Sequence, residues 1–151
     1  MTGLTFQRDD ALGPDALAMI AQSEAELAAI YAPEHRYAFS PEQLLDANVR
    51  FLVAYREGLP VGCGGAAPCA GYGELKRVFV THSARKQGIA AQIVGALEDL
   101  VRADGAPIMR LETGLASPDA MALYKKLGYR EIDPFGGYVE NGSSVFMEKS
   151  L

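Results

Sequence analysis

The sequence predicts an α+β fold of mixed α/β layers, and three observations carry that prediction. Short β-rich runs separated by turn residues fill positions 51–80. Amphipathic helical stretches stand before and after them, and near residue 88 a strand leads directly into a long helix. Strands and helices interleaved in this way bury their apolar faces as a sheet covered by helices. At 151 residues the chain fits a single domain, 1–151.

Residues 4–8 read as an opening strand. Pro14 stands near the start of a helix in which Leu17, Ile20, Leu27 and Tyr31 recur at helix-compatible spacing. Ser40-Pro41-Glu42-Gln43 is a capping box with proline at the first helical position, so a second, short helix opens there. Residues 51–55 and 61–67 alternate as strands around a turn that contains Gly58. A further turn at 70–73 precedes a third strand, 74–80. A helix from about residue 88 to 104 carries Ile89, Ile93, Leu97, Leu100 and Val101 as its apolar stripe, and Pro107 prevents its continuation. Residues 108–113 form the next strand. A helix follows that starts at Ser117-Pro118-Asp119, carries Ala120, Leu123, Tyr124 and Leu127, and stops at Gly128. Residues 129–132 and 144–149 close the sheet, and the Gly- and Pro-containing stretch 133–142 is the least structured part.

With 49% hydrophobic and 22% charged residues, the composition is that of a soluble globular protein. A net charge of −5 gives no broad basic footprint for nucleic acid or an anionic membrane, so an anionic ligand must be held by a local cluster. Cys63 and Cys69 have no metal-ligand spacing and read as reduced thiols of a cytoplasmic protein. No basic segment followed by an apolar run opens the chain, and no apolar stretch reaches the ~20 residues of a membrane span. The expectation is a soluble, cytoplasmic protein without a metal, a membrane or a nucleic acid partner.

Chemistry concentrates at 78–91, Val-Phe-Val-Thr-His-Ser-Ala-Arg-Lys-Gln-Gly-Ile-Ala-Ala. A strand delivers a short loop that opens a long helix, whose first N–H groups are unpaired and whose dipole favours negative charge. Gly88 allows close backbone approach, Ala90 and Ala91 leave room above the first turn, and Arg85 and Lys86 add positive charge. This is neither a Walker loop nor a dinucleotide fingerprint, since the Gly-Lys-Ser/Thr end and two of the three glycines are missing. The bland alternative is an ordinary strand-to-helix turn with a solvated basic pair.

Arg85-x-x-Gly88-x-Ala90 resembles the Q/R-x-x-G-x-G/A motif of the GNAT acetyltransferases, in that family's context of strand, turn and helix. Residues 120–129, Ala-Met-Ala-Leu-Tyr-Lys-Lys-Leu-Gly-Tyr, are similar to its A-x-x-L-Y-x-x-x-G-F/Y element at the usual distance. Together, in order and spacing, the two motifs are specific, and the resemblance covers roughly residues 50–150. Glu-Leu-Lys-Arg at 74–77, Leu-Glu-Thr-Gly at 111–114 and the C-terminal strand look like one bacterial subgroup, often labelled indole-acetic-acid acetyltransferases. The motifs themselves do not read that acceptor.

The resemblance implies a mostly antiparallel twisted sheet of about six to seven strands flanked by about four helices, and acetyl-CoA as the cofactor. It implies that the backbone of Val78, Phe79 and Val80 pairs with the pantetheine arm. The pyrophosphate would meet the N–H groups of Arg85, Lys86, Gln87, Gly88, Ile89, Ala90 and Ala91. Tyr124 matches the family tyrosine that protonates the departing thiolate, a role open to a phenol of pKa ≈ 10; a core aromatic with a satisfied hydroxyl is the alternative. Glu74 and Glu112 compete as base for the acceptor amine. Alternation places Glu74 on the face of Val78 unless a bulge intervenes. For either carboxylate, a structural salt bridge with Lys76, Arg77 or Arg110 or a water relay is an equal reading. Where the family often has an asparagine that bonds the cofactor arm, this chain has Ser117, which either bonds that arm or caps its helix; capping is the reading adopted.

Tyr31, His35, Arg36, Tyr37 and Tyr138 are candidates for the acceptor pocket. The leading reading is direct transfer of acetyl to a small-molecule amine. A protein amine as acceptor and an acyl-CoA sensor without turnover are the alternatives. Homodimers are common among similar proteins, and no segment here identifies an interface.

Overall fold

The structure is a computed structural model and describes residues 3–33 and 39–151. Seven strands form one sheet in the order β1-β2-β3-β4-β5-β7-β6. In chain order the elements are β1 (Leu4–Arg8), α1 (Pro14–Ile30), α2 (Pro41–Asp46), β2 (Arg50–Arg56), β3 (Leu59–Cys69) and β4 (Tyr72–Val80). These are followed by α3 (Ile89–Ala103), β5 (Ile108–Gly114), α4 (Pro118–Lys126), β6 (Arg130–Ile132) and β7 (Ser144–Ser150). The mixed architecture and the strand and helix numbers agree with expectation.

Local chemistry explains the connections. Glu57 and Gly58 both adopt left-handed backbone, φ 52° and 79°, the two-residue turn whose twist suits a hairpin. The Ser40 hydroxyl accepts the Gln43 N–H at 3.2 Å while the Gln43 side chain accepts the Ser40 N–H at 2.9 Å, completing the capping box. The glycines of β3 and β4 let α3 lie close on the sheet. A Cβ at Gly64 would stand 2.9 Å from Ile93, and one at Gly73 2.6 Å from Val101.

Two apolar clusters sandwich the sheet. One packs α3 and α4 against Leu52, Ala66, Leu75, Val80, Leu111 and Met147. The other packs α1 and α2 against Phe51, Val53, Cys63 and Phe79. The buried stripe of α1 is Ala16, Met19, Ile20 and Ser23, whereas Leu17 is 44% exposed. Of the helix-spaced residues Ile20 faces the sheet and Leu17 does not, and small Ala16 lets the helix approach it. Tyr31 is the residue that caps α1, outside the helix proper. On α3 the stripe also takes in Glu98, which is buried because the Tyr129 hydroxyl donates to it at 2.7 Å and Lys149 lies 3.1 Å away.

The feature that positions the site is the one parallel pairing among the described residues. Strands β4 and β5 pair only at Gly73↔Met109 and Glu74↔Arg110, after which they separate. Beyond that point neither strand completes a ladder with the other, and a wedge opens between their C-terminal ends. No helix among the described residues is long and apolar enough to cross a membrane.

Candidate active site

The wedge is a cleft of about 200 Å³. Leu75 to Val78 form one wall and Leu111 to Gly114 the other, with α1 contributing Ser23, Leu27 and Tyr31 and α4 contributing Ser117, Ala120 and Tyr124. Sequence-expected residues that meet in it are thus Val78, Glu112, Ser117, Tyr124, Tyr31 and Tyr138. His35, Arg36 and Tyr37 lie outside the described residues.

Tyr124 is buried in the cluster beneath α3 and α4, in edge contact with Tyr129 at 5.7 Å between ring centroids. Its hydroxyl makes no hydrogen bond among the described residues. Burial alone holds this phenol well above the usual tyrosine range, so it keeps its proton through neutral and alkaline pH.

The two carboxylates occupy different environments. Glu74 ion-pairs with Lys76 at 2.8 Å and accepts the Tyr138 hydroxyl at 2.5 Å, while Lys76 donates to the same phenol at 2.5 Å and stands 3.8 Å from the centre of the Phe39 ring. The salt-bridge reading of Glu74 is the one realised, and Glu74 does not line the cleft. Glu112 lines it, and one of its oxygens accepts the Ser144 hydroxyl at 2.8 Å. Burial raises its carboxyl above the ordinary range, only partly offset by the Ser144 bond and by Lys76. Arg110 pairs instead with Glu148 at 3.0 Å.

The expected alignment of Glu74 with Val78 is corrected by a bulge. Arg77 has φ 57°, and the register against β3 slips between Cys63↔Phe79 and Gly65↔Lys76, so Arg77 and Val78 together oppose Gly64. Alternation restarts after the extra residue. Val78 joins the α3 face, and Glu74 shares the opposite face with Phe79. The buried Arg77 side chain donates to the Phe39 carbonyl at 2.9 Å and pairs with Glu24 at 3.0 Å, leaving its second terminal nitrogen without a partner among the described residues.

At the head of α3 the structure holds a turn with two left-handed residues, Lys86 at φ 63° and Gly88 at φ 78°. Gly88 precedes the helix, and no side chain caps its first N–H groups. Residues 85–88 are exposed, Ile89 is buried, and Ala90 and Ala91 are half-buried. The charges of the basic pair are unequal in availability. Arg85 is bound bidentately by Glu26 at 2.6 and 2.8 Å and donates to the Val80 carbonyl at 2.9 Å. Lys86 makes no ion pair among the described residues, and the Gln87 side chain accepts from Arg56. The uncapped turn, its left-handed glycine and the small residues after it fit a phosphate group.

Ser117 departs from expectation. It stands at the N-terminus of α4, but its hydroxyl forms no cap and instead shares a hydrogen bond of 2.9 Å with the Tyr31 hydroxyl, 86 residues away. The serine at 117 was visible in the sequence; its partner was not, because no local pattern links the ends of α1 and β5. Lys76 was legible only as a salt-bridge partner, although its position two residues after Glu74 places both on one strand face.

Comparison with known proteins places the chain in a family. The acetyltransferase (GNAT) family model matches residues 16–129. An IAA acetyltransferase of Azospirillum brasilense is 37% identical over 153 residues, covering 100% of both chains. The crystal structure of a protein described as a "putative acyl-CoA N-acyltransferase" from Klebsiella pneumoniae subsp. pneumoniae superposes with a TM-score of 0.82 at 30% identity, covering 98% of this chain and 97% of that one. A GNAT family acetyltransferase from Elizabethkingia anophelis, with acetyl-CoA bound, shares the fold with a TM-score of 0.73 at 18% identity, covering 100% of both chains. A family match over most of the chain and a full-length relative at 37% identity leave one conclusion: the chain belongs to the GNAT acetyltransferases, acyltransferases that use acetyl-CoA.

Proposed function

We propose that the protein transfers acetyl to the amine of a small molecule by direct attack, with Tyr124 as general acid and Glu112 as base. The observation that carries this reading is the placement of Tyr124, a buried phenol that lines the wedge with no hydrogen-bond partner among the described residues. Acetyl-CoA supplies the activated acetyl thioester. The backbone of Val78, Phe79 and Val80 and the turn Arg85, Lys86, Gln87, Gly88, Ile89, Ala90 and Ala91 would hold it, with Ser117 beside its arm.

Leu111 and Glu112 are successive on β5 and therefore face opposite sides of the sheet. Leu111 shares its cluster with Tyr124, so acid and base flank the wedge from its two sides. Glu112 takes the proton that the acceptor ammonium or amine must shed, and a carboxyl raised above its ordinary range is the stronger base for that task. Tyr124 gives its proton to the departing thiolate sulfur. Burial weakens the phenol as an acid, and the same dry surroundings strengthen the thiolate as a base, so the transfer stays matched. Glu74, paired with Lys76 and Tyr138, serves the structure of the acceptor side.

Direct attack is supported by the cysteines. Cys63 is buried in the opposite cluster, with burial lifting its thiol to about 12, and Cys69 lies at the exposed end of β3; neither lines the cleft. A cleft of only about 200 Å³ favours a small acceptor over a folded protein's amine. Tyr124→Phe tests the reading: thiol release from acetyl-CoA in the presence of an amine panel is expected to fall by about 10² or more. The acetyl-CoA-induced thermal shift should persist. Unchanged turnover would remove Tyr124 as the acid, and a wild-type protein that binds acetyl-CoA without releasing thiol would favour a sensor.

A further inference from the structure

Tyr31 and Ser117 approach from opposite sides of the wedge, one from the end of α1 and the other from the start of α4, and their hydroxyls meet at 2.9 Å. The join lies directly over the end of β5. A Cβ built on Gly114 would stand 1.9 Å from the Tyr31 hydroxyl oxygen and 2.4 Å from the ring carbon that bears it. The phenol therefore rests on bare backbone, in space that any side chain at 114 would fill. Ser117 gives up its usual N-cap bond for this contact. Tyr31, Gly114 and Ser117 all line the cleft.

Resting on the acetyltransferase reading of this cleft, we propose that the Tyr31–Ser117 clasp is a specificity wall, with Tyr31 the residue that limits the size of the acceptor body. The ring fixes the wall and the hydroxyl bond fixes the ring. A compact primary amine fits beneath it, and a long-chain or arylalkyl amine requires it to move. Apolar pockets discriminate by about 10- to 200-fold per missing or extra group when their walls hold.

The test needs neither a known acceptor nor turnover. Two coenzyme A derivatives carry an N-alkylcarbamoylmethyl group on sulfur, one with propyl and one with octyl, and thus join the cofactor to an acceptor body of chosen size. Their dissociation constants, with that of coenzyme A itself, are measured for wild type, Tyr31→Phe, Tyr31→Ala and Gly114→Ala by thermal shift and calorimetry. Wild type is expected to prefer the propyl derivative at least tenfold. Tyr31→Ala should erase that preference while coenzyme A affinity stays within about threefold. Tyr31→Phe keeps the ring and most of the preference, and Gly114→Ala, which displaces the ring, follows Tyr31→Ala. A wild-type preference that survives in Tyr31→Ala with coenzyme A affinity intact would overturn the wall. Failure of all four proteins to bind coenzyme A would overturn the cofactor reading itself, and the wall with it.

Discussion

Glu74 and Val78, four residues apart on one strand, face opposite sides of the sheet because Arg77 adds a residue between them. Glu74 stays on the face of Lys76 and Tyr138, and the bulge turns Val78 toward α3. It lies three residues beyond Glu74, the last residue of β4 that pairs with β5, in the stretch that walls the wedge.

That bulge carries a backbone cost. Arginine at φ 57° occupies the left-handed region, which costs a residue with a Cβ roughly 1–2 kcal/mol relative to glycine. Arg77→Ala and Arg77→Gly both lose the Phe39 and Glu24 contacts. The glycine variant is therefore expected to be the more stable of the two by about 1 kcal/mol in urea unfolding. Equal stability would mean that the bulge straightens once the side chain is gone.

Glu74 and Lys76 are 9% and 5% exposed at the side chain, so neither can lose its partner to water. Glu74→Gln should cost about 3 kcal/mol, because a buried ammonium is left with reduced compensation. Tyr138→Phe removes one neutral partner from each and should cost about 1 kcal/mol. The double variant Glu74→Gln/Lys76→Met should recover much of the loss, since no buried charge remains unpaired. Additive losses in a double-mutant cycle would show that the pair acts through packing alone.

How much of this was legible in the sequence follows the range of the interactions. The capping box at Ser40 and the glycine turns are local, and the residues alone specify them. The turn before α3 was legible as strand, glycine and helix, but the engagement of Arg85 by Glu26 was not, because 59 residues separate them. The spacing of α1 was legible, but the burial of Ala16 was not, since alanine is a weak hydrophobic signal beside Leu17. Glu112 could be named as a candidate base, but its place in the cleft and its partner Ser144, 32 residues away, leave no mark in alternation.

Arg85 and Glu26 offer a test of the phosphate site. The pair is about two-fifths exposed, so it is screened and contributes little to stability. Glu26→Gln should leave the melting temperature nearly unchanged while releasing the guanidinium toward an incoming phosphate. The KM for acetyl-CoA is expected to fall by about two- to fivefold at low salt, and the gain should shrink as ionic strength rises. A rise in KM would show that Glu26 orients Arg85 for binding rather than competing for it.

Glu112 gives opposite signs in stability and in rate. Its carboxyl is raised in the folded state, so the native protein holds this proton more tightly than the unfolded chain does. That contribution is fully present below about pH 4, the unfolded carboxyl range, and is lost as pH climbs through the higher folded value. Glu112→Gln has no such loss, and its stability should gain on wild type as pH rises above about 4, the unfolded carboxyl range. The Ser144 hydroxyl can still donate to the amide oxygen, so the fold has no reason to suffer. Turnover should move the other way. Wild-type kcat/KM should rise through the same elevated carboxyl titration, whereas Glu112→Gln should lose that acid limb and fall by about 10² or more. Paired melts and rate profiles across this range therefore separate a base from a merely structural carboxylate. A variant that melts lower at every pH and keeps the wild-type rate profile would return the proton to a water relay.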